Sequence, residues 1–314
     1  MPRIAVTGSV AFDTIMVFPG RFGEHILPDK THILNVSFLV DRLERRRGGT
    51  AANIAYTLAL LGERPLLCAA VGDDFTGYGA ELESAGVDTA AALRCADVAT
   101  ASCFITTDLD DNQISAFFPG AMGRAGSIDL RRLGEEVDTV VVAPDAPDAM
   151  AAHVEQASEL GVRLVFAPAQ QIPSLPVETL AAGLDAAWMV VGNDYEIEML
   201  RGRTGRGIDE LRGRGALVAV TRGAGGSEIH SADGVVEVPA ARVETVVDPT
   251  GAGDAYLGGL LAGLRRGLDL GGAGRMGSLA AAYVVEGRGP QAHHFSAAEF
   301  ADRYRSAFAL PLPT

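Results

Sequence analysis

Short apolar runs and amphipathic stretches alternate along most of this chain. Ile4 to Thr7 and Ala11 to Phe18 read as strands separated by Gly8-Ser9, because brief runs rich in β-branched and aromatic residues, bounded by turn formers, suit a strand. Residues 19–47 are mixed and broken by Pro19, Gly20, Gly23 and Pro28, with a β-like patch from His32 to Val40. Gly48-Gly49 opens a helix, Thr50 to Leu61, which Gly62 ends. Arg64 to Val71 predicts a buried strand, and Gly72-Asp73-Asp74-Phe75 leads into a helix ending at Gly86. From Val87 to Phe118 the pattern is β again, with Thr100 to Thr107 and Gln113 to Phe118 predicting a hairpin around Asp108-Leu109-Asp110-Asp111.

Beyond this point strands and helices alternate. Thr139 to Ala143, Arg163 to Ala167, Ala187 to Val191 and Leu217 to Thr221 are short apolar strands, with helical segments near 147–160, 175–183 and 195–201. A β-rich run, Val243 to Val247, precedes an apolar helix from Ala255 to Leu264, and further helices are expected near 274–286 and 297–308. Such alternation implies an α/β fold, with a mostly parallel central sheet flanked by helices on both faces. The two β-rich insertions, about 14–40 and 88–118, are expected to meet in space as a small β-sheet lid on a single domain covering 1–314. There is no internal repeat and no low-complexity linker.

Composition narrows the function classes. At 314 residues, 48% hydrophobic with 38 glycines and few aromatics, the chain suits an α/β enzyme. A net charge of −14 argues against a nucleic-acid backbone or an anionic membrane as partner. The start, Met1-Pro2-Arg3-Ile4, lacks a secretory signal pattern, and no apolar stretch is long enough to span a bilayer. Cys68, Cys95 and Cys103 cannot all pair and lack metal-ligand spacing, so a reduced, cytoplasmic enzyme is expected. Lys30 is the sole lysine, and neither its setting nor its number suits a Walker A loop, a protein kinase or a Schiff base.

Asp248-Pro249-Thr250-Gly251-Ala252-Gly253-Asp254-Ala255-Tyr256 carries the most chemistry. A glycine loop opening a helix leaves backbone N–H groups facing a ligand. Asp254 places a carboxylate beside that anion nest, which suits phosphoryl transfer: the nest holds the charge and the carboxylate takes a proton. A plain helix cap would also explain a lone Gly-x-Gly-Asp. Gly48-Gly49-Thr50-Ala51-Ala52-Asn53 is a second glycine loop at a helix start, about 200 residues earlier.

Together these two strings resemble the signatures of the PfkB, or ribokinase-like, family of sugar and nucleoside kinases, over essentially the whole chain. The resemblance implies a ribokinase-like fold with ATP and Mg²⁺ as cofactors, and allows a monovalent cation such as K⁺. Asp254 is then the base, with Gly251, Ala252 and Gly253 at the transferred phosphoryl group. Gly48, Gly49 and Asn53 would lie against a ribose, with Ser9 nearby and Asp13 accepting hydrogen bonds from two sugar hydroxyls. Asn193 and Glu196 match an Asn-x-x-Glu that organises Mg²⁺ largely through water, and Asn193 also suits a helix N-cap. Thr221, Arg222, Gly223 and Gly226 match a nucleotide segment, and Gly277, Ser278 and Ala281 are expected to flank the adenine.

The acceptor is expected from the lid and the N-terminal third. Phe18-Pro19-Gly20-Arg21-Phe22, Val36 to Asp41, Phe117 to Met122 and Gln170-Gln171 resemble bacterial adenosine kinases of the actinobacterial type. This implies Phe117 stacked on a purine, Ser37 bonded to the base and Gln171 at the pocket. An aromatic position of that group falls on Cys103, with Phe104 next to it as the alternative lining residue. The expected reaction is transfer of the γ-phosphoryl group of ATP to the 5′-hydroxyl of a purine ribonucleoside, adenosine first. A furanose-sugar kinase and a non-catalytic nucleoside sensor are the alternatives. Family resemblance also allows a homodimer through the lids.

Overall fold

The computed structural model describes residues 2–26 and 35–312. In chain order the strands are β1 (Arg3–Thr7), β2 (Ala11–Val17), β3 (Arg42–Gly48), β4 (Leu66–Cys68), β5 (Ala70–Gly72), β6 (Leu93–Cys95), β7 (Ala101–Thr107), β8 (Gln113–Phe118), β9 (Val137–Val142), β10 (Arg163–Phe166), β11 (Ala187–Asn193), β12 (Leu217–Thr221), β13 (Ser227–Ser231) and β14 (Gly234–Val238). The helices are α1 (Phe22–His25), α2 (Thr50–Leu60), α3 (Thr76–Ala85), α4 (Pro147–Leu160), α5 (Val177–Ala186), α6 (Asp194–Thr204), α7 (Ile208–Gly213), α8 (Ala252–Arg265), α9 (Leu270–Val285) and α10 (Ala297–Phe308).

Eight strands form the main sheet in the order β14-β13-β12-β11-β10-β9-β1-β4. β4, β1, β9, β10, β11 and β12 run parallel, and β13 and β14 close one edge antiparallel. Strands such as Val-Asp-Thr-Val-Val-Val at β9 are apolar on both faces because helices cover both. Period-two alternation divides the core: Ile4, Val6, Val141 and Val165 face the layer of α2, α8 and α9. Ala5, Val140, Val142 and Leu164 face α4 and α5. Each fully buried aliphatic side chain stabilises the sheet–helix sandwich by roughly 1.5–3 kcal/mol.

A separate four-stranded sheet, β3-β2-β7-β8, stands over one end of the main sheet. It is built from 11–17, 42–48, 101–107 and 113–118, so it begins before residue 14 and uses neither 35–40 nor 88–100. Residues 35–40 carry no strand, and His32 to Leu34, like Lys30, lie outside the described residues. The strand is instead the charged run Arg42-Leu43-Glu44-Arg45-Arg46-Arg47-Gly48, which hydropathy does not mark. As an edge strand paired only to β2, it needs no apolar side chains, and its arginines are neutralised by Glu44, Asp74 and Glu81. Residues 93–95 pair with β5 in a two-stranded ladder of their own.

One further expectation changes. Val243 to Val247 form no strand; Val246 is exposed, and the N–H groups of Val247 and Asp248 both donate to the Val285 carbonyl at the end of α9. The β13–β14 hairpin is added: its strands alternate in burial and are joined by the two-residue turn Ala232-Asp233, with Gly234 opening β14 opposite Ser231. No helix among the described residues is long and apolar enough to cross a membrane.

α8 is pinned against α9 by close backbone approach. A Cβ added at Gly259 would stand 2.7 Å from the Gly277 Cα, and one at Gly263 would stand 2.6 Å from the Ala273 Cα. Gly259→Val should therefore force the two helices apart and lower unfolding stability by about 1–3 kcal/mol or more in a urea titration. Unchanged stability would show that this seam does not fix α8.

Candidate functional site

The parallel strands all end on the same side, and the crevice beyond their carboxyl ends is where open α/β sheets hold ligands. Here that crevice is a cavity of about 600 Å³. Its floor is Ala143-Pro144 after β9, Ala167, Ala169, Gln170 and Gln171 after β10, Gly192-Asn193 at the end of β11 and Thr221 at the end of β12. The N-termini of α2 and α8 both open into it, and the inner face of the four-stranded sheet roofs it.

Gly251 precedes α8 with φ of 82°, and a Cβ there would meet the Pro290 Cβ at 2.4 Å, so only glycine fits. In the first turn the N–H groups of Ala252 and Ala255 donate to the Pro249 and Gly251 carbonyls. Those of Gly253 and Asp254, between them, take no partner among the described residues. Gly251, Gly253 and Asp254 line the cavity, whereas Ala252 does not. Asp254 Oδ2 accepts a hydrogen bond from Asn53 Nδ2 at 2.8 Å. Burial pushes the Asp254 carboxyl up to about 7; the Asn53 bond opposes this and the charge of Glu196 adds to it.

Asn53 sits in the first turn of α2, which Gly49 enters at φ of 95°, with room for no Cβ against the Ser9 carbonyl. Ser9 lines the cavity, yet its hydroxyl accepts the Thr50 N–H at 3.1 Å and so satisfies a first-turn donor of α2.

The lid contributes one register row. Arg46 on β3 lies opposite Asp13 on β2, then Cys103 on β7, then Phe117 on β8. Residues directly opposite one another across neighbouring strands share a face, and Asp13, Cys103 and Phe117 all line the cavity, while the next residue along each strand points the other way. Phe104 is therefore on the other face, 43% exposed, so it does not line the pocket and Cys103 occupies the place instead. Ser37 lies exposed in 35–40, away from the lining; neighbouring Phe38 packs on Phe18 and Phe22. Burial raises the Asp13 carboxyl and Asp248 adds to this, while Arg46 opposes them.

Asn193 and Glu196 form a reciprocal capping box at α6: Asn193 Oδ1 accepts the Glu196 N–H at 2.8 Å, and Glu196 Oε2 accepts the Asn193 N–H at 2.9 Å. Both also line the cavity, so capping and ligand contact are compatible. Thr221 lines it too, but Arg222, Gly223 and Gly226 do not. Arg222 is engaged by Glu228, and Gly226 is needed because a Cβ there would lie 2.2 Å from the Val238 carbonyl oxygen. Ser278 is likewise turned away: its hydroxyl donates to the Pro239 carbonyl and accepts the Ala241 N–H.

Several site neighbours were not anticipated. Arg46 bridges Glu44 and Asp248 at 2.8 and 2.9 Å, tying the lid to the loop before α8. Gln291 and Tyr78 stand behind Asn53. Nothing local in the sequence marks them, since they come from a loop and from α3, far from either glycine string.

The family model described as pfkB family carbohydrate kinase matches residues 4–296. A nucleoside kinase of Methanothermobacter thermautotrophicus is 34% identical over 283 residues, spanning 89% of this chain and 91% of the relative. An ATP-dependent ribose-1-phosphate kinase of Halopiger xanaduensis is 33% identical over 225 residues, spanning 68% of this chain and 72% of that one. Among solved structures, the Burkholderia thailandensis nucleoside kinase in complex with inosine superimposes with a TM-score of 0.86 at 37% identity, covering 98% of this chain and 99% of that one.

Cys103 gives a chemical handle on the cavity. Cys68 and Cys95 are buried, and burial holds the Cys68 thiol at about 12. N-ethylmaleimide should label Cys103 alone in the folded protein, slowly at neutral pH and faster as pH rises, because burial and Asp13 both raise that thiol. Mass spectrometry finding Cys95 or Cys68 modified first would contradict this geometry.

Proposed function

The chain belongs to the pfkB family of carbohydrate kinases, and on that premise we propose that it phosphorylates the 5′-hydroxyl of purine ribonucleosides, adenosine among them, with Asp254 as the base. It is a phosphotransferase acting on an alcohol, and as a kinase of this family it uses ATP, usually with Mg²⁺. The observation that carries the acceptor site is the Asp254 carboxylate, with free N–H groups beside it and Asp13 and Phe117 roofing the same cavity. The nucleoside kinases at 34% and 37% identity support a nucleoside over a bare sugar. An aromatic face on a base contributes on the order of 1–3 kcal/mol, and Phe117 is placed to offer one. With Cys103 opposite Phe117 in register, the lid adds a thiol to the base pocket where a second ring would otherwise stand.

In this reading Asp13 accepts hydrogen bonds from two ribose hydroxyls, and Gly48-Gly49 lets the sugar approach the backbone. A Cβ at Gly48 would come 2.8 Å from Asp13 Oδ2, so glycine leaves the carboxylate free to turn toward a ligand. Asp254 takes the proton of the 5′-hydroxyl as that oxygen attacks the γ-phosphorus. The bond from the γ-phosphorus to the bridging oxygen breaks and ADP leaves. The N–H groups of Gly253 and Asp254 stabilise the charge that develops on the moving group.

The residues present suit Mg²⁺ held mostly by phosphate and water. Among the described residues there is no cluster of three or more His, Cys, Asp or Glu ligands, and Glu196 Oε2 is engaged by Asn193 while Oε1 remains available. When bound, the ion neutralises phosphate charge; Glu196 and Asn193 would orient its water shell.

The test is ADP release with adenosine, inosine, guanosine, ribose, ribose 1-phosphate and fructose 6-phosphate. Purine ribonucleosides should give the highest kcat/KM, and turnover confined to sugars or sugar phosphates would overturn the base-binding reading. Asp254→Asn should lower kcat by about 10²–10⁴-fold, as loss of a general base does; near-normal turnover would remove Asp254 from the role.

The same substitution has a stability signature. A carboxyl near 7 when folded and near 3.9 when unfolded keeps more protons in the folded state between those values. Its stabilisation is complete below the unfolded value and is lost as pH rises through about 7. Asp254→Asn should therefore raise Tm above the parent at pH 8, with the difference shrinking toward pH 4. A variant less stable than the parent at pH 8 would show that the carboxylate is not held against its burial.

A further inference from the structure

A chain of hydrogen bonds runs from Asp254 back into the protein. Asn53 Nδ2 donates to Asp254, and Asn53 Oδ1 accepts from Gln291 Nε2 at 2.8 Å. Gln291 Nε2 also donates to the Tyr78 hydroxyl, and that hydroxyl donates to the Gly48 carbonyl at 2.8 Å. Gln291 and Asn53 are 7% and 5% exposed, and Tyr78 is 2% exposed, so water does not compete for these bonds.

The direction of every bond follows from one end. A backbone carbonyl can only accept, so the Tyr78 hydrogen points at Gly48 and its oxygen is left to accept. Gln291 must then present its NH₂ to Tyr78, and the second hydrogen of that NH₂ faces Asn53. Asn53 consequently turns its carbonyl to Gln291 and its own NH₂ to Asp254. A free asparagine could equally offer its carbonyl, which a protonated carboxyl would prefer.

We propose that Gln291 is a positioning residue for phosphoryl transfer, fixing the Asn53 amide so that an N–H rather than a carbonyl faces Asp254. It touches neither reacting atom. Its role rests on the reading of Asp254 as the base, and it extends that reading by naming what keeps an anion-favouring donor on the buried carboxyl. The same chain ends on Gly48, the last residue of the lid strand β3, so the base is tied to the segment that carries the roof.

The titratable groups around Asp254 are Glu196 from α6, whose charge raises it, Tyr78 from α3 behind Asn53, and Asp13 on β2 in the same cavity, which has Arg46 beside it on β3. Asp248 in the preceding loop is already paired to Arg46. Changing Gln291 alters none of these charges unless a glutamate is introduced, so a neutral replacement isolates the effect of orientation.

The experiment is a ¹³C NMR titration of the Asp254 carboxyl in the ligand-free protein, assigned by its absence in Asp254→Asn, alongside the pH profile of kcat. Gln291→Leu should raise the Asp254 titration by about one pH unit, since an anion-stabilising donor is lost. Tyr78→Phe, the milder variant, should move it less in the same direction. The acid limb of kcat should shift equally, with turnover recovered at high pH and the KM for ATP unchanged. An unmoved titration in folded Gln291→Leu and Tyr78→Phe, or a loss of kcat equal at every pH, would overturn the proposal. If Asp254→Asn stays active, the base assignment fails, yet the NMR titration still decides whether Gln291 orients Asn53.

Discussion

A carboxylate held at the buried amino end of α8 is the constraint on which the remaining structure turns. Burial alone would keep Asp254 protonated and useless as a base. The Asn53 donor at 2.8 Å acts against that outcome, while the charge of Glu196 adds to it, and the Gly253 and Asp254 N–H groups, without partners among the described residues, lie beside the carboxyl. The result is a carboxyl near 7, poised between the two protonation states rather than locked in either. Much of the chain is arranged to hold α8 and α2 where this balance exists.

The parallel sheet supplies the platform. Six strands run the same way, so their following loops gather at one edge, and the two helices with glycine entries open onto that edge. The glycine seam between α8 and α9 removes the side chains that would let α8 drift. Across the cavity the lid brings Asp13, Cys103 and Phe117 down in a single register row, and Arg46 fastens that lid to Asp248 just before α8. In the proposed reading, the residues that would meet the acceptor hydroxyls, the acceptor base and the reacting oxygen are held by one set of contacts.

Much of this was legible in the residues. Parallel strands announce themselves as short Val-rich runs because both faces are buried, and the two glycine strings mark helix entries because few other residues permit such backbone. The lid was harder. β3 is a run of arginines on a solvated edge, so hydropathy points to the preceding residues instead, and Val243 to Val247 looks like a strand although only its last N–H, that of Val247, bonds the end of α9. Side-chain direction was the other blind spot. Whether Cys103 or Phe104 faces the cavity depends on a register that only pairing to β2 and β8 sets, and no local pattern shows that the Ser278 hydroxyl bonds Pro239 and Ala241. Gln291 and Tyr78 are joined to Asn53 purely by tertiary proximity, which no local pattern encodes.

The central claim is that Asp254 directs the γ-phosphoryl group to a primary 5′-hydroxyl. Proton-coupled ³¹P NMR of the product formed from ATP and a purine ribonucleoside tests it most directly. Transfer to the 5′-oxygen gives a phosphomonoester signal split into a triplet by the two methylene protons, growing in step with ADP. A doublet, from a phosphate on a ring carbon bearing one proton, or release of inorganic phosphate alone, would contradict it.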